Sequence, residues 1–442
     1  MKLTRRALQS ALEQLPHARV LRLAFSGGMD STVLVHLVRD IWPQYAVECR
    51  AVYINHGLSP HADVWAQHCR ELCAGWQLPL DVISVSVPRT PGASVEQSAR
   101  DARYQALAAL TGVQEITLTA HHGDDQAETF LLQALRGAGV PGLAGMPGLR
   151  PLGDGHLARP LLAFTRQQIQ DYATANGLTW IEDDSNTHLD FHRNYLRHEV
   201  MPLLRKRWPG VAGVLSRVSG YQAEAKGLLD EMAAADLALC ATGTVDRLRL
   251  TPMNRLSQAR IKNLLRYWLR VQGVKQPSAV KLEQILRQML DSGRDAQPML
   301  RWGDAELRRY RDCLYLQPVP APHGHGEVYA WDLTRPLRLP GVGQLTVQTG
   351  QGPGLRADIR GQGAVEIRYR QGGEVCRLPG RQHHHTLKNL FQEAGVPPWL
   401  RDRVPLVYIN GELAAVIGQC YCGPFAAIGD EAALQITLEV TG

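Results

Sequence analysis

The stretch Phe25-Ser-Gly-Gly-Met-Asp-Ser-Thr32 (FSGGMDST) decides how the first half of this 442-residue chain is read. It follows an apolar run, Val20–Phe25, and leads into a helical stretch, Ser31–Trp42. Gly27 and Gly28 permit a tight strand-to-helix turn whose backbone N–H groups point at an anion, and the helix dipole favours a phosphate there. The string lacks the lysine of G-x-x-x-x-G-K-[ST] loops and carries Asp30 instead. An acid beside a phosphate makes sense chiefly when a divalent cation bridges the two. For an isolated S-G-G, a plain connecting turn is an equal reading; the full S-G-G-x-D-S string after a buried strand is far more specific.

The same pattern continues outward. Apolar runs at Cys49–Asn55, Leu80–Val87 and Glu115–Ala120 alternate with helical stretches at Asp63–Trp76, Ser94–Leu110 and Asp124–Leu135. Buried strands alternating with helices predict an α/β domain with a parallel sheet. Ligands of such sheets sit beyond the carboxyl ends of the strands. Three of these ends carry unusual polar strings: SGGMDS, NHG (55–57) and HHGDDQAET (121–129). In the last, Asp124, Asp125 and Glu128 share one helix face. Crowded acids near a phosphate site suit a cation, either Mg²⁺ or a substrate ammonium. The plain alternative is an acidic helix start favoured by the dipole.

Beyond this domain, residues 136–154 are rich in Gly and Pro and predict a loop or lid. A capping box at Thr165 and Gln168 starts a helix that ends near Gly177. Helical patterning dominates Leu215–Leu316, including Leu282, Ile285, Leu286, Met289 and Leu290 after a Ser278 cap. QPVPAPHGHG (317–326) is a candidate linker. Short strands (Leu337–Gln348, Ala364–Tyr369), a helix (Thr386–Ala394) and a final strand pair near Leu406–Gln419 follow. The expected domains are 1–212 (α/β, nucleotide-binding), 213–320 (helical) and 327–442 (small α+β).

Composition narrows the class. A 45% hydrophobic and 20% charged chain is that of a soluble globular protein. No apolar run approaches the ~20 residues of a membrane helix. Eight scattered cysteines form no C-x-x-C, so free thiols in a reducing cytosol are expected rather than disulfides or a zinc site. The net charge of +6 is modest, but two segments are locally basic. Between Arg193 and Arg217 there are six Lys/Arg (193, 197, 205, 206, 207 and 217) against one acid. Between Arg360 and Arg403 there are eight against four, with His383–His385 between them. Such excesses suit RNA phosphates, although a solvated basic face is the usual reading of any single run.

The SGGMDS string resembles the PP-loop ATP pyrophosphatases, which are adenine nucleotide alpha hydrolase-like in fold. The fuller set is similar to the tRNA(Ile)-lysidine synthetase family: HHGDDQAET, EQSARDARYQAL (96–107), ARPLL (158–162), EDDSNTHLDFHRNYLRHEVMPLL (182–204) and LKNLFQEAGVPPWLRDRVPLV (387–407). Three histidines in RQHHHTLKN (381–389) depart from the basic residues more usual there. The resemblance implies a cytosolic ATP-dependent ligase that joins free L-lysine to C2 of the wobble cytidine of a CAU-anticodon tRNA(Ile), through an adenylated intermediate. It needs no obligate protein partner.

By the same resemblance ATP is bound by Ser26, Gly27, Gly28, Met29, Asp30, Ser31, His56 and Arg100, with Asp30 on Mg²⁺. Arg103 is available beside Arg100. Asp125 and Glu128 recognise the lysine ammonium, and the proton acceptor is left open among His121, His122 and the acids. Arg193, Arg197, Arg205, Lys206, Arg207, Arg381, Lys388 and Arg401 contact tRNA. The catalytic set is then Asp30, Asp125, Glu128 and His121. A thiolase of the superfamily is disfavoured by the missing cysteine pairs. A glutamine-using synthetase is disfavoured because neither terminus carries a nucleophilic cysteine. A non-catalytic RNA-binding protein is disfavoured because Asp30, Asp125 and Glu128 are all present.

Overall fold

The computed structural model describes residues 2–44, 47–88, 95–182, 192–293, 296–324, 326–361, 363–381 and 383–439. Two compact units divide at Glu231/Met232, within the helix Val211–Cys240. No helix among the described residues is long and apolar enough to cross a membrane.

The first unit is built on a six-stranded sheet. In chain order its elements are α1 (Arg5–Leu12), β1 (Val20–Ala24), α2 (Met29–Ile41), β2 (Glu48–Asn55), α3 (Ala62–Gly75), β3 (Leu80–Ser84), α4 (Val95–Leu110), β4 (Glu115–Leu118) and α5 (Gly123–Leu135). A short helix α6 (Val140–Leu143), the hairpin β5 (Leu149–Leu152) and β6 (Gly155–Ala158), and α7 (Arg166–Ala175) follow. The strand order is β3-β2-β1-β4-β6-β5, parallel throughout except for β5, which runs antiparallel to β6. Each α/β crossover places an apolar helix face on the sheet. Leu23, Phe25, Val33, Leu37, Leu118 and Ile169 fill one side of it. Val52, Leu107, Leu152 and Leu157 fill the other.

The expected strands and helices recur within a few residues, and the Thr165–Gln168 capping box is present. Residues 136–154 correct the lid expectation. Part of that stretch, with Gly155–Ala158, extends the sheet, because β6 finds a parallel partner in β4. Ser94, where one helix was expected to begin, lies outside the described residues, as do 183–191 of the 182–204 string.

The second unit also corrects the sequence reading. Helices Gln258–Val271 and Ala279–Ile285 are joined by a four-stranded antiparallel sheet (Arg247–Arg249, Met299–Trp302, Ala305–Tyr310, Cys313–Pro318), so 299–318 is not helical. Leu307, Leu314 and Leu316 are buried in the same core as Trp268 and Ile285, so alternation and helical spacing both end in one apolar cluster. Further on, two antiparallel sheets share a core of Leu345, Leu355, Ile367, Ile409 and Leu434. The last strand is Ala432–Glu439, beyond the pair expected to be final. The 317–326 segment is tied down rather than free, although residue 325 lies outside the described residues. Gln317 and Pro318 end a strand, His323 Nε2 meets the Asp402 carbonyl at 2.9 Å, and Arg403 Nη1 donates to the Ala321 carbonyl at 2.9 Å.

One thiol expectation fails. Cys376 and Cys422, 46 residues apart, form a disulfide with Cα atoms 5.7 Å apart. Strand pairing creates this proximity, and no local spacing announces it. The other six cysteines are free, and burial pushes Cys49, Cys69 and Cys73 up to about 12, which leaves them inert at neutral pH.

Candidate active site

The turn after β1 brings a bare helix start to the sheet's carboxyl edge. Gly28 stands at the N-cap of α2 and offers no side chain, so no capping group accepts the first-turn N–H groups that a helix start leaves over. Serine hydroxyls brace the turn from inside: Ser31 Oγ accepts the Ser26 N–H at 3.2 Å and donates to the Gly28 carbonyl at 2.9 Å. Ser26 Oγ lies 3.1 Å from Ser31 Oγ. Gly27 has φ +80°, in the left-handed region, and a Cβ there would lie 2.5 Å from Ile181 Cδ1 and 3.0 Å from Cys69 Sγ. Ile181 also donates its N–H to the Gly27 carbonyl at 2.9 Å. Met29, first in the helix, is buried.

Asp30, in that first helical turn, has one buried carboxylate oxygen, Oδ1, with no hydrogen-bond partner. Its Oδ2 lies 3.6 Å from His122 Nε2. Among the described residues no group of three His, Cys, Asp or Glu is placed to hold a metal alone. An orphaned carboxylate beside free amide donors nevertheless fits Mg²⁺, which takes one or two carboxylates and completes its shell with phosphates and water.

Two strands meet this turn through His122. It caps α5, accepting the Asp125 N–H at 3.4 Å on Nδ1, while Asp125 Oδ2 accepts the His122 N–H at 3.0 Å. Burial opposes charging His122, but Asp125, Asp30 and Asp124 outweigh it and hold its pKa above the ordinary value. His121, next to it, behaves oppositely. Burial, reinforced by Arg159, Arg193 and Arg103, outweighs Asp125 and pulls its pKa down to about 3, so the ring is neutral. Thr119 Oγ1 lies 2.9 Å from its Nδ1.

The three acids of α5 are buried and paired. A helix at His192–Tyr195 continues through a wide turn, Leu196–Val200, and puts Arg193 and Arg197 on one face, four residues apart. Arg193 reaches Asp125 Oδ1 at 2.9 Å and Glu128 Oε2 at 2.8 Å. Arg197 reaches Asp125 Oδ1 at 3.0 Å and Glu128 at 2.7 and 2.9 Å. Arg205 holds Asp124 Oδ1 at 2.5 Å, and Asp124 Oδ2 accepts the Arg166 N–H at 2.7 Å. For Asp125, burial opposes ionisation, yet His122, Arg193, His121 and Arg197 prevail and hold its carboxyl well below the usual range.

The structure thus gathers Ser26–Ser31, His121, Asp125 and Glu128 around one edge of the sheet. Arg193, Arg197 and Arg205, expected as tRNA contacts, are paired with the acids, because buried carboxylates must find counter-charges. Lys206 and Arg207 are exposed. His56, after β2, has a buried Nδ1 without a partner, and burial with the Arg103 charge lowers its pKa. Arg100 stacks on Tyr104, 5.1 Å from the ring centre, rather than pointing to a protein acid. In the second unit Arg381 and Lys388 are exposed, and Gln382 beside them lies outside the described residues. Arg401 serves an internal contact, donating to the Val396 carbonyl and to Tyr310 Oη. Ile181, Thr119, Tyr104, Arg150 and Arg159 carried no sequence-based role. Only Tyr104 and Arg159 lay within quoted motifs, and nothing local marks the others.

A bare helix start with an acid in its first turn and no lysine, on a parallel sheet, defines an ATP-using PP-loop domain. The family model described as PP-loop domain matches residues 2–204. A TilS substrate binding domain matches 248–315 and a TilS substrate C-terminal domain matches 365–438. The chain is 44% identical to tRNA(Ile)-lysidine synthase of Coxiella burnetii over 410 residues, covering 92% of the chain and 91% of that relative. It is 45% identical to the enzyme of the same name from Pseudomonas putida over 403 residues, covering 89% and 91%. The chain belongs to the tRNA(Ile)-lysidine synthase family.

Proposed function

We propose that this chain is the ATP-dependent carbon–nitrogen ligase that joins L-lysine to C2 of the wobble cytidine in a CAU-anticodon tRNA(Ile). The observation that carries the reading is the uncapped α2 start with the orphaned Asp30 oxygen beside it, next to His122, which caps the acid-bearing helix α5. The first-turn amides and the Ser26 and Ser31 hydroxyls bind the β and γ phosphates. Asp30 holds Mg²⁺, which when bound neutralises the departing pyrophosphate.

The C2 carbonyl oxygen of the cytidine displaces pyrophosphate from the α phosphorus. The lysine ε-amine then attacks C2, and AMP leaves with the oxygen. The ammonium loses one proton before attack and the nitrogen a second as the product forms. His121 is neutral and sits at the site, but a group with a pKa of about 3 accepts protons poorly in the free protein. Bound polyanions raise it and make it a competent acceptor. Asp125 and Glu128, with Arg193 and Arg197, form a quartet of two acids and two guanidiniums. Such a quartet suits an amino acid, whose ammonium exchanges onto the acids while its carboxylate takes the arginines.

Residues 1–212 carry the chemistry, and 213–320 and 327–442 contact tRNA, with Lys206, Arg207, Arg381 and Lys388 on phosphates. The setting is cytosolic, without an obligate protein partner. The test is incorporation of labelled lysine into a CAU-anticodon tRNA(Ile) transcript, with and without ATP. ATP-dependent incorporation is expected, and none from well-folded protein refutes the reading.

A further inference from the structure

A second cationic site stands across the sheet edge from the α2 turn. On α4, Arg100 and Arg103 lie 5.1 and 5.8 Å from the centre of the Tyr104 ring, and Arg150 of β5 lies 4.9 Å from it. Arg159, just past β6, is 5% exposed. One of its nitrogens donates to the Pro147 carbonyl at 2.7 Å, while its buried Nε has no partner. The buried Tyr104 hydroxyl sits against the Arg159 guanidinium, which interacts with it as a weak donor. Among the described residues no carboxylate lies within ion-pairing distance of Arg100, Arg150 or Arg159. Arg193, Arg197 and Arg205 are all neutralised by acids, so the contrast within one domain is sharp. Each guanidinium is attracted by the ring face, but the three charges repel one another, and an anion bound among them would relieve that repulsion. Burial opposes ionising Tyr104, but the charges of Arg100 and Arg159, the Arg159 contact and the Arg103 charge outweigh it and lower its pKa.

We propose that Arg100, Arg150, Arg159 and the Tyr104 hydroxyl form a phosphodiester site that grips one backbone phosphate of the RNA beside the nucleotide being modified. This rests on the RNA-modifying reading above and takes Arg100 from the ATP set, where the family resemblance puts it, to the RNA. Two geometric facts favour RNA over the nucleotide. The α2 turn follows β1, whereas Arg150 lies on β5 and Arg159 follows β6, with β4 between β1 and β6. Two inter-strand spacings separate β1 from β6, roughly 10 Å, so Arg150 and Arg159 of this cage stand off from a polyphosphate seated on α2. The cage is also tied to the reacting edge. Thr119 donates its N–H to the Ala158 carbonyl at 3.0 Å, which sets Arg159 beside the strand that leads to His121. A phosphate held there presents its attached base toward His121 and the α5 acids.

The test measures binding of a fluorescent CAU-anticodon tRNA(Ile) transcript to the full chain over a salt series, with ATP binding measured separately. Arg150→Gln should weaken tRNA binding about tenfold and flatten the log K against log salt slope by about 0.7 to 1. ATP affinity should stay as in wild type, and Arg150→Lys should keep the slope. Tyr104→Phe, which removes one hydroxyl, should weaken tRNA binding about threefold and serves as the test if Arg150→Gln folds poorly. A wild-type slope and affinity in these variants overturns the proposal. So does lost ATP affinity with tRNA binding intact, which assigns the cage to a nucleotide phosphate. If wild-type protein neither binds nor modifies the transcript, the RNA reading itself falls; if it does both and the cage variants bind equally, only the cage falls.

Discussion

Arg193→Met tests whether the acid–guanidinium quartet holds the site together. Arg193 is about one-fifth exposed and bridges Asp125 and Glu128 at 2.9 and 2.8 Å. Removing one partner of a buried pair costs about 3–5 kcal/mol because an uncompensated charge stays behind. Here both carboxylates keep Arg197, at 3.0 Å and 2.7 Å, so the lower end applies, about 3 kcal/mol. That corresponds to a fall of roughly 6–12 °C in Tm for a unit of this size.

The assay is urea unfolding followed by tryptophan fluorescence, with Glu128→Gln and the double variant completing a cycle. Coupling above about 1 kcal/mol between the two sites is expected. The pH dependence has a definite sign. Asp125 titrates below its unfolded value near ~3.9, so its contribution is present above that pH and is lost as pH falls through the folded value. Arg193→Met should therefore lose less stability on acidification than wild type. A cost below about 1 kcal/mol at neutral pH, or additivity within ~0.5 kcal/mol, refutes the reasoning.

Asp30→Asn should abolish ATP-dependent pyrophosphate exchange while tRNA binding stays within about twofold; a parallel loss of tRNA binding would mark Asp30 as structural. Gly27→Ala meets a left-handed φ that costs a non-glycine residue about 1–2 kcal/mol and a contact with the movable tip of Ile181. ATP affinity should fall about tenfold or more with the far-UV spectrum unchanged, and wild-type affinity would remove the turn from the nucleotide site. His121 is held neutral down to about pH 3, so its imidazole NMR shifts should stay flat between pH 5 and 8 in the free protein. The stability it contributes is present above its ordinary pKa near ~6.5 and declines as pH falls toward about 3. A titration near neutrality would contradict its burial.

The α/β half was legible because its signals are local. Apolar runs of strand length, helical spacing and the Thr165–Gln168 box each depend on neighbours within four residues. The sheet at 299–318 was misread because short strands alternate within a helix-rich region, and their pairing partners, such as Arg247–Arg249, lie far away in sequence. The hairpin at 149–158 was hidden by its glycines and prolines, which mark turns as readily as lids. The acids of α5 were visible as a cluster. Their partners were not, since Arg193 and Arg197 lie more than sixty residues on, in a basic run that reads as tRNA contacts.

FSGGMDST, read alone, determined the strand–turn–helix, the phosphate-binding character of its amides and the place of an acid beside them, because these follow from glycine conformations and helix geometry within eight residues. Whether a cation remains free or is spent was decided only by the tertiary structure. Charge compensation acts over ångströms in space and ignores chain separation. Packing therefore gave Arg193, Arg197 and Arg205 to the α5 acids, and gathered Arg100, Arg150 and Arg159 where no acid pairs with them among the described residues.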